Sequence, residues 1–403
     1  MTHIAIIKMN NNMNDIQLAI VIVAYNRTES VRRLFNSLLE AHYPQTAPLI
    51  ISIDKSDTEA VGELADKLDW PYGDKKVIKH QENLGLRRHV LSIGEYTKLY
   101  DGVIVLEDDL EVSPSFYNFA LEAVRKYRND ERIAGISLYS FTLNLNNKLP
   151  FIPEQNGFDA FLFQNAQSWG QVWMTKAWMS FIEWYSNHSE EFPYLNHLPY
   201  SICHWGKNSW LKYHIKYCIE KDKYFVYPYI SMTFCSGAVG THSSEKSSFV
   251  QNAILRGCRQ GFRFPDFEES VKYDGFFERV GIKESLGLKD VCVDINGEKG
   301  NRMGNRYWLT TKRMRYRIIR SFGLLYIPIE RNVLQQVYGN SIFLYDTSQK
   351  GKLPSNNFIE IISLYKYSGL FSFMRRCGFI ESTLQILRYL FHRLNLFIKA
   401  SSK

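Results

Sequence analysis

The sequence of 403 residues has little that would place it in a membrane or in an oxidising compartment. Its six cysteines lie far apart and include no CxxC pair, so neither a zinc knuckle nor a dense disulfide framework is indicated. No stretch approaches the roughly 18 uninterrupted apolar residues of a membrane-spanning helix. The N-terminus also lacks the basic segment and apolar run of a standard secretory signal. We therefore expect reduced thiols and a cytoplasmic protein.

Acidic residues are scarce in the last quarter of the chain. Residues 301–403 contain 17 basic and 4 acidic side chains, whereas residues 1–300 contain 32 basic and 37 acidic ones. The net charge of +8 thus combines a mildly acidic body with a basic tail. Hydrophobic residues make up 45% of the chain, which excludes disorder throughout.

Buried strands and amphipathic helices alternate over the first 110 residues. The run from Leu18 to Ala24 is continuously apolar, as in a parallel strand covered on both faces. Further strands are predicted at 48–53, 77–78 and 102–106, and helices at 31–39, 60–68 and 88–99. This alternation predicts an α/β fold with a mostly parallel sheet covered by helices.

The change in composition near residue 300 predicts three regions. These are a polar leader at 1–16, an α/β domain at 17–300 and a basic, largely helical region at 301–403. Gly297, Gly300 and Gly304 lie in the predicted connection.

Polar residues follow three of the four predicted strands. Arg27 follows the first strand, Asp54 the second, and Glu107-Asp108-Asp109 the fourth. Ligands of such sheets bind at the carboxyl ends of the strands. Three adjacent carboxylates repel one another, so we expect a compensating cation, and a divalent metal with oxygen ligands is the natural one. A solvated acidic turn is the alternative, but the position after a buried fourth strand favours a metal.

Three segments resemble GT-A nucleotide-sugar glycosyltransferases, in particular N-acetylglucosaminyltransferase I and the bacterial family-two enzymes that build surface polysaccharides. They are Ile20 to Arg27, Ile50 to Asp54, and Val105-Leu106-Glu107-Asp108-Asp109 continuing to Phe116. The resemblance spans roughly residues 17–245. It implies a GT-A, Rossmann-like sheet with helices on both faces. It also implies metal-dependent transfer of a sugar from a nucleotide-diphosphate sugar, with a UDP-sugar preferred, to a hydroxyl of a bacterial surface glycan that is lipid-linked.

The resemblance assigns donor-side roles to individual residues. Arg27 and Asp54 match nucleotide-binding positions, and Asp54 faces the uracil or ribose. Asp108 matches a residue near the ribose and the sugar, and Asp109 matches the ligand of Mn²⁺ or Mg²⁺. The turn from Asn83 to Arg87 looks like the donor-side loop. In that loop either Arg87 or Arg88 would meet phosphate, unless both are surface charges at a helix start.

Two further segments match acceptor-side and metal-side positions. Ser168-Trp169-Gly170 looks like the glycine loop, in which Gly170 lets backbone approach the sugar and Trp169 offers a stacking ring, although most of the tryptophans are expected in the core. Gly240 to Ser243 resembles the segment whose histidine coordinates metal or diphosphate, and it follows a predicted last strand at 227–234. His242 is therefore a candidate site residue, and a surface hydrogen-bonding role is the alternative.

One departure concerns the catalytic base. Inverting relatives place an Asp beside a Trp at the start of a helix, but residues 203–210 contain no carboxylate. His204 is the predicted base, since an imidazole pKa near 6.5 suits proton transfer. Alternatively, Asn208 or Ser209 occupies the position and no base is present. Inversion is the favoured outcome because the nearest relatives invert.

The basic tail predicts a peripheral contact with the inner face of the cytoplasmic membrane. Residues 312–320 mix basic and apolar side chains, and residues 379–399 have the pattern of a basic amphipathic helix. A helix packed on the body and a dimer contact are the alternatives. Nucleic-acid binding is not expected, because the body is acidic and no recognised motif is present.

Two other functions remain open. A sugar nucleotidyltransferase would need a glycine-rich loop after the first strand, and residues 25–28 contain no glycine. A non-catalytic glycan-binding or scaffold protein of the same fold would explain the missing carboxylate near Trp205.

Overall fold

The structure is a computed structural model that describes residues 16–236, 251–299 and 304–354, together with Thr383 and Leu387. His242 and nearly all of the predicted helix at 379–399 lie outside the described residues. The chain divides into two units, Met1–Val280 and Gly281–Lys403. The observed boundary precedes the predicted one at residue 300, because residues 291–294 pair with a strand of the second unit.

The described residues form fifteen strands and nine α-helices. The strands are β1 Leu18–Ala24, β2 Leu49–Ile53, β3 Lys75–Lys79, β4 Gly102–Glu107, β5 Leu110–Val112, β6 Ile133–Ser137, β7 Ala160–Phe163, β8 Gln171–Met174, β9 Tyr224–Pro228, β10 Thr233–Cys235, β11 Lys272–Tyr273, β12 Val291–Asp294, β13 Tyr307–Thr310, β14 Tyr316–Phe322 and β15 Ile342–Lys350. The helices are α1 Thr28–Leu39, α2 Ala60–Lys67, α3 Gly85–Ile93, α4 Phe116–Tyr127, α5 Thr175–Ser186, α6 Tyr200–Cys203, α7 Leu211–Glu220, α8 Ile282–Ser285 and α9 Arg331–Leu334. A 3₁₀ turn, Gly94–Lys98, continues α3.

A nine-stranded sheet forms the first unit, in the order β11-β7-β9-β6-β8-β4-β1-β2-β3. Six strands run in one direction and β7, β8 and β11 oppose them. Apolar side chains of β1 alternate between two clusters: Ile20 and Ile22 pack with α1, α2 and α4, and Val21 and Val23 pack with α3, α5 and α7. Helices therefore cover both faces, as predicted.

The face that carries α5 and α7 is largely aromatic. Trp173 and Trp178 stack with their ring centroids 3.9 Å apart, and Trp184 and Trp210 are also buried there. The prediction that most tryptophans belong to the core is confirmed. Trp169 and Trp205 are only partly buried.

The segment predicted as one last strand at 227–234 is two strands. β9 ends at Pro228, which has no N–H to continue the ladder, and the chain then leaves the main sheet. It resumes as β10, which pairs antiparallel with β5 directly after the acidic motif. As a result the Ser236 N–H donates to the carbonyl of Asp109 at 3.1 Å.

The second unit contains a four-stranded sheet in the order β12-β13-β15-β14. Residues 304–354 are thus mainly β-structure, and the prediction of a largely helical region is wrong for this part. Consecutive apolar residues explain the difference: Ile342 and Leu344 pack with Leu309 in one core, while Phe343 and Tyr345 are buried on the other side of the strand. No described helix is long and apolar enough to cross a membrane. No described cysteine forms a disulfide bond.

Candidate active site

The carboxyl ends of four neighbouring parallel strands carry the candidate site. Because β4, β1, β2 and β3 are adjacent in the sheet, the residues that follow them lie along one edge. Arg27, Asp54, His80 and the acidic triplet Glu107-Asp108-Asp109 are therefore brought to the same edge. Backbone hydrogen bonds from Asp54 to Ala24 and from His80 to Ile53 extend the sheet by one residue beyond β2 and β3.

Arg27 supplies the cation that the acidic triplet requires. Its guanidinium lies against the buried carboxylate of Asp108, with Nε donating to Oδ2 at 3.4 Å and a second, shorter contact to Oδ1. The same guanidinium lies 3.3 Å from Oδ2 of Asp109. Arg27 thus bridges the two carboxylates that the sequence assigned to sugar and metal.

Burial raises the pKa of two residues of the acidic triplet. Burial raises the pKa of Glu107 to about 8, and the charges of Asp109 and Asp108 raise it further against the effect of Arg27. Burial also raises the pKa of Asp108 to about 6, although Arg27 opposes this shift. Burial lowers the pKa of Arg27, but the two aspartates outweigh it and the net shift is upward. The clustered acids at this edge therefore favour the binding of an additional positive charge.

One oxygen of Asp109 remains available for a cation. Asp109 Oδ1 is buried and has no hydrogen-bond partner among the described residues. Mg²⁺-type ions are commonly held by one or two carboxylates and complete their coordination with substrate phosphates and water. A single free carboxylate oxygen fits that pattern. The described residues contain no group of three or more His, Cys, Asp or Glu side chains arranged around a metal, so Asp109 would be the protein ligand among them.

Asp54 holds the turn that precedes α3. Its buried carboxylate accepts hydrogen bonds from the backbone N–H groups of Leu84 at 2.8 Å and Gly85 at 2.9 Å. Gly85 has φ +71°, a conformation that favours glycine. Asn83 donates its amide to the carbonyl of Lys55 at 2.7 Å and closes the same turn. The predicted donor-side residues Asp54 and Asn83 are therefore joined in one rigid turn at the sheet edge.

Two histidines beside Asp54 are functional candidates that the sequence reading missed. The hydroxyl of Ser52 lies 2.8 Å from Nε2 of His89 and 3.2 Å from Nε2 of His80. Burial lowers the pKa of His89 to about 4, partly offset by Asp54, so its imidazole is neutral. A serine inside the apolar strand Leu49–Ile53, and a histidine on the buried side of α3, were the available signals.

Arg87 binds protein groups on the side of α5 and α7. Its guanidinium donates to the Tyr185 hydroxyl at 2.7 Å and to the Ser189 and Lys207 carbonyls at 2.5 and 3.2 Å. It also lies 4.3 Å from the ring centroid of Tyr213. Arg88 instead donates to the carbonyls of Leu84 and Asn83. Arg87 thus connects the segment around Lys207 to α3, the helix whose first N–H groups bond to Asp54.

Gly170 brings the glycine loop close to β10. It has φ +95°, and a Cβ atom at this position would lie 2.7 Å from Cγ2 of Thr233. The Thr233 hydroxyl donates to the carbonyl of Trp169 at 2.6 Å. Because β10 pairs with the strand after Asp109, this contact connects the predicted acceptor loop to the acidic motif.

His204 lies on the surface at the end of α6. Its Nδ1 is 2.7 Å from the carbonyl of Tyr200, and the two rings stack with centroids 3.9 Å apart. The adjacent Trp205 carbonyl accepts a hydrogen bond at 3.1 Å from the buried ammonium of Lys212. No described contact joins His204 to the acidic triplet.

Comparison with known proteins agrees with this architecture. Residues 19–173 match the family model described as glycosyl transferase family 2, from β1 into β8. No curated protein matches the chain in sequence.

Several solved structures are similar to the chain. TarS of S. aureus in complex with UDP-GlcNAc is 11% identical over 56% of this chain and 60% of that one, with a TM-score of 0.37. GalNAc-T7 with UDP, GalNAc and Mn²⁺ is 14% identical over 54% of this chain and 43% of that one, with a TM-score of 0.35. A mannosyltransferase of Pyrobaculum calidifontis with GDP-Man and Mn²⁺ is 11% identical over 53% and 57%, with a TM-score of 0.32.

The chain matches about 60% or less of the length of these solved proteins. The mostly parallel, helix-covered sheet confirms the predicted fold class. Residues 19–173, which include the strands of the candidate site, are similar in sequence to glycosyl transferase family 2.

Proposed function

We propose that the protein transfers a sugar from a nucleotide-diphosphate sugar, preferably a UDP-sugar, to a hydroxyl of a glycan acceptor. The observation that carries this proposal is the buried oxygen of Asp109, which has no hydrogen-bond partner among the described residues and lies at the carboxyl edge of a sheet whose segment 19–173 matches the family 2 model. A buried oxygen without a hydrogen-bond partner destabilises the folded protein. We therefore expect this oxygen to gain a partner when the protein functions. A metal-bound diphosphate would provide that partner.

Each residue at this edge of the sheet would have a different role in donor binding. Asp109 would hold Mn²⁺ or Mg²⁺, and this metal would stabilise the charge that develops on the departing diphosphate. Asp54 orients the turn from Asn83 to Gly85, which would border the nucleotide. Asp108 pairs with Arg27, and it would contact the ribose and sugar of the donor. His242 would be a further ligand of the metal or diphosphate.

Arg27 has a second role in this proposal. The Arg27 guanidinium bridges Asp108 and Asp109. A metal at Asp109 would compete with the guanidinium for the same carboxylates, which leaves Arg27 available for the nucleotide phosphates. Burial also raises the pKa of Glu107 to about 8, so a cation that binds beside this residue would release its proton.

The acceptor would enter between the Gly170 loop and the segment around Trp205. His204 is the proposed base for an inverting transfer, and Arg87 would meet the donor only by giving up its present protein contacts. The acceptor would be a lipid-linked precursor of a bacterial surface glycan at the inner face of the cytoplasmic membrane.

Substitution of Asp109 tests the proposal. We expect Asp109→Asn to lose at least about 100-fold in Mn²⁺-dependent turnover, because the amide cannot hold the cation that stabilises the leaving group. Release of nucleoside diphosphate from a panel of UDP- and GDP-sugars, with and without Mn²⁺, measures the effect. Circular dichroism establishes that the variant is folded.

Asp69→Asn is the matched control, since Asp69 is an exposed acid outside the sheet edge. It should leave turnover unchanged. Equal turnover of Asp109→Asn and the control would contradict the proposal. The absent carboxylate at 203–210 favours a non-catalytic binder as the second candidate, which would bind donor without releasing diphosphate. A nucleotidyltransferase would instead produce pyrophosphate.

A further inference from the structure

Residues 304–354 of the second unit form a basic surface and contain no exposed acid. Six exposed cations lie on or beside β14 and the end of β15: Lys312, Arg315, Arg317, Arg320, Lys350 and Lys352. None of the six forms an ion pair with a described residue. Residues 304–354 contain only two acids, Glu330 and Asp346, and both are buried. Asp346 is moreover paired with Arg306 at 3.1 Å.

Apolar side chains are exposed along the same strand and the loop that follows it. Ile318 and Ile319 are exposed on β14. Leu325 and Ile327 are 72% and 62% exposed in the following loop, and Tyr338 is 96% exposed. Phe322 and Tyr338 form a β-bridge, so the loop and Tyr338 lie at the same end of the strand. We call these cations and apolar residues together the β14 surface.

The β14 surface is long and continuous. β14 is an edge strand, and its seven residues extend about 23 Å at 3.3 Å per residue. Lys350 pairs with Tyr316, and the Gly351 N–H donates to the carbonyl of Arg315, which places Lys352 beside the start of the strand. Cations therefore extend from one end of β14 to Arg320, where the apolar loop begins.

We propose that the β14 surface binds the face of an anionic phospholipid bilayer. Lys and Arg attract anionic headgroups, whereas aliphatic and aromatic side chains gain free energy by entering the interface between headgroups and acyl chains. Charges that only protect an edge strand from aggregation would not need exposed Ile and Leu beside them. A nucleic acid would use the cations but would leave Leu325 and Ile327 without a role.

The remaining tail of the chain is a poor occupant of this surface. Residues 355–403 contain seven basic and two acidic side chains, so packing them here would bring like charges together. An anionic partner has the complementary charge. This inference rests on the proposed function only for its purpose, which is to bring a lipid-linked acceptor to the site.

Sedimentation with vesicles tests the inference on the full chain. Sucrose-loaded vesicles of phosphatidylglycerol and phosphatidylcholine are compared with vesicles of phosphatidylcholine alone, without donor or acceptor. We expect binding to the anionic vesicles only, and weaker binding at higher salt. The variant Arg317→Gln/Arg320→Gln should bind on the order of 25-fold more weakly, about fivefold for each cation. Leu325→Ser/Ile327→Ser should also bind more weakly.

Matched controls come from the first unit. Lys76→Gln and Leu99→Ser each replace an exposed residue of similar type and should bind vesicles as the unsubstituted chain does. Unchanged binding by both β14 variants would overturn the inference. Two results together would overturn the inference in favour of a nucleic-acid surface. These are loss of vesicle binding by the charge variant alone, and binding of the unsubstituted chain to single-stranded DNA as tightly as to anionic vesicles. Donor hydrolysis without vesicles should be unchanged in all four variants, which separates this test from that of Asp109.

Discussion

Asp109 and Gly170 show how single residues position the site. Asp109 presents one carboxylate oxygen to Arg27, and its other oxygen has no hydrogen-bond partner in the described part of the chain, while its backbone carbonyl accepts from Ser236. Gly170 lets the chain turn within contact of Thr233, which lies on the strand that ends next to Ser236. The two residues therefore couple the acidic motif to the glycine loop through β10.

Substitution of Gly170 tests this coupling. We expect Gly170→Ala to lower the free energy of unfolding by about 1–3 kcal/mol, because its Cβ would meet Thr233 at 2.7 Å and because φ is +95°. Thr233→Ser removes the nearest atom, Cγ2, and keeps the hydroxyl that bonds to Trp169. The double variant should therefore recover the steric part of the loss.

Urea unfolding of the three variants provides the measurement. Gly206→Ala is the matched control, since a Cβ there would have no atom within 4 Å, and it should change stability by less than about 0.5 kcal/mol. If Gly170→Ala were as mild as Gly206→Ala, the close approach to β10 would not exist.

The sequence predicts which residues lie at the edge but not how they pair. The positions of Arg27, Asp54 and Asp109 follow from strand ends, because parallel strands bring their carboxyl ends together. The bridge from Arg27 to both aspartates depends on side-chain conformations within the folded site. The His80 and His89 pair was missed for the same reason. Ser52 of β2 contacts both His80, which follows β3, and His89 of α3, and these residues meet only in the folded chain.

The packing of α7 against α5 contains an unusual buried histidine. His214 stacks on Phe181 with centroids 4.0 Å apart, is fully buried, and has no hydrogen-bond partner on either ring nitrogen among the described residues. Burial lowers the pKa of His214 to about 3. The imidazole is therefore neutral in the folded protein at any moderate pH.

The stability of this element should depend on pH in a predictable direction. Unfolded His214 binds a proton below pH 6.5, whereas the folded residue does not until about pH 3, so the unfolded state gains stability as the pH falls. Between pH 7.5 and 5 the loss is about 2 kcal/mol. We expect His214→Phe to remove this part of the pH dependence, as measured by urea unfolding at both pH values.

The variant His197→Phe controls for the loss of any histidine, since the His197 side chain is 40% exposed and interacts with Glu220. It should retain the dependence that His214 causes. A pH profile of His214→Phe identical to that of the unsubstituted chain would show that this residue is not responsible.

Element type was predictable where the apolar pattern was unambiguous. β1 and β4 are apolar runs rich in β-branched residues, and their observed bounds agree closely with the prediction. β14 and β15 were missed because residues 301–403 were interpreted as one basic, largely helical region. Pairing between distant strands, not local periodicity, decides the structure there.

At the scale of the whole molecule, the two units have separate hydrophobic cores. The two clusters of the first unit contain residues between Ile16 and Phe277, and the cluster of the second lies between Ile282 and Leu344. The sequence signalled this division by composition, but it placed the boundary twenty residues late, since charge changes near 300 while the strand pairing of the second unit begins at Val291.

Separate cores lead to a prediction about function. A chain that ends at Val280 contains Arg27, Asp54, Asp109, Gly170 and His204, and it retains both clusters of the first unit. Domains with their own core fold alone, so we expect this fragment to unfold cooperatively and to show a Mn²⁺-dependent thermal shift with a UDP-sugar. It lacks the β14 surface and should therefore not sediment with anionic vesicles. A folded fragment that still bound such vesicles would place the membrane contact in the first unit, and a fragment without a cooperative transition would show that its core depends on residues 281–403.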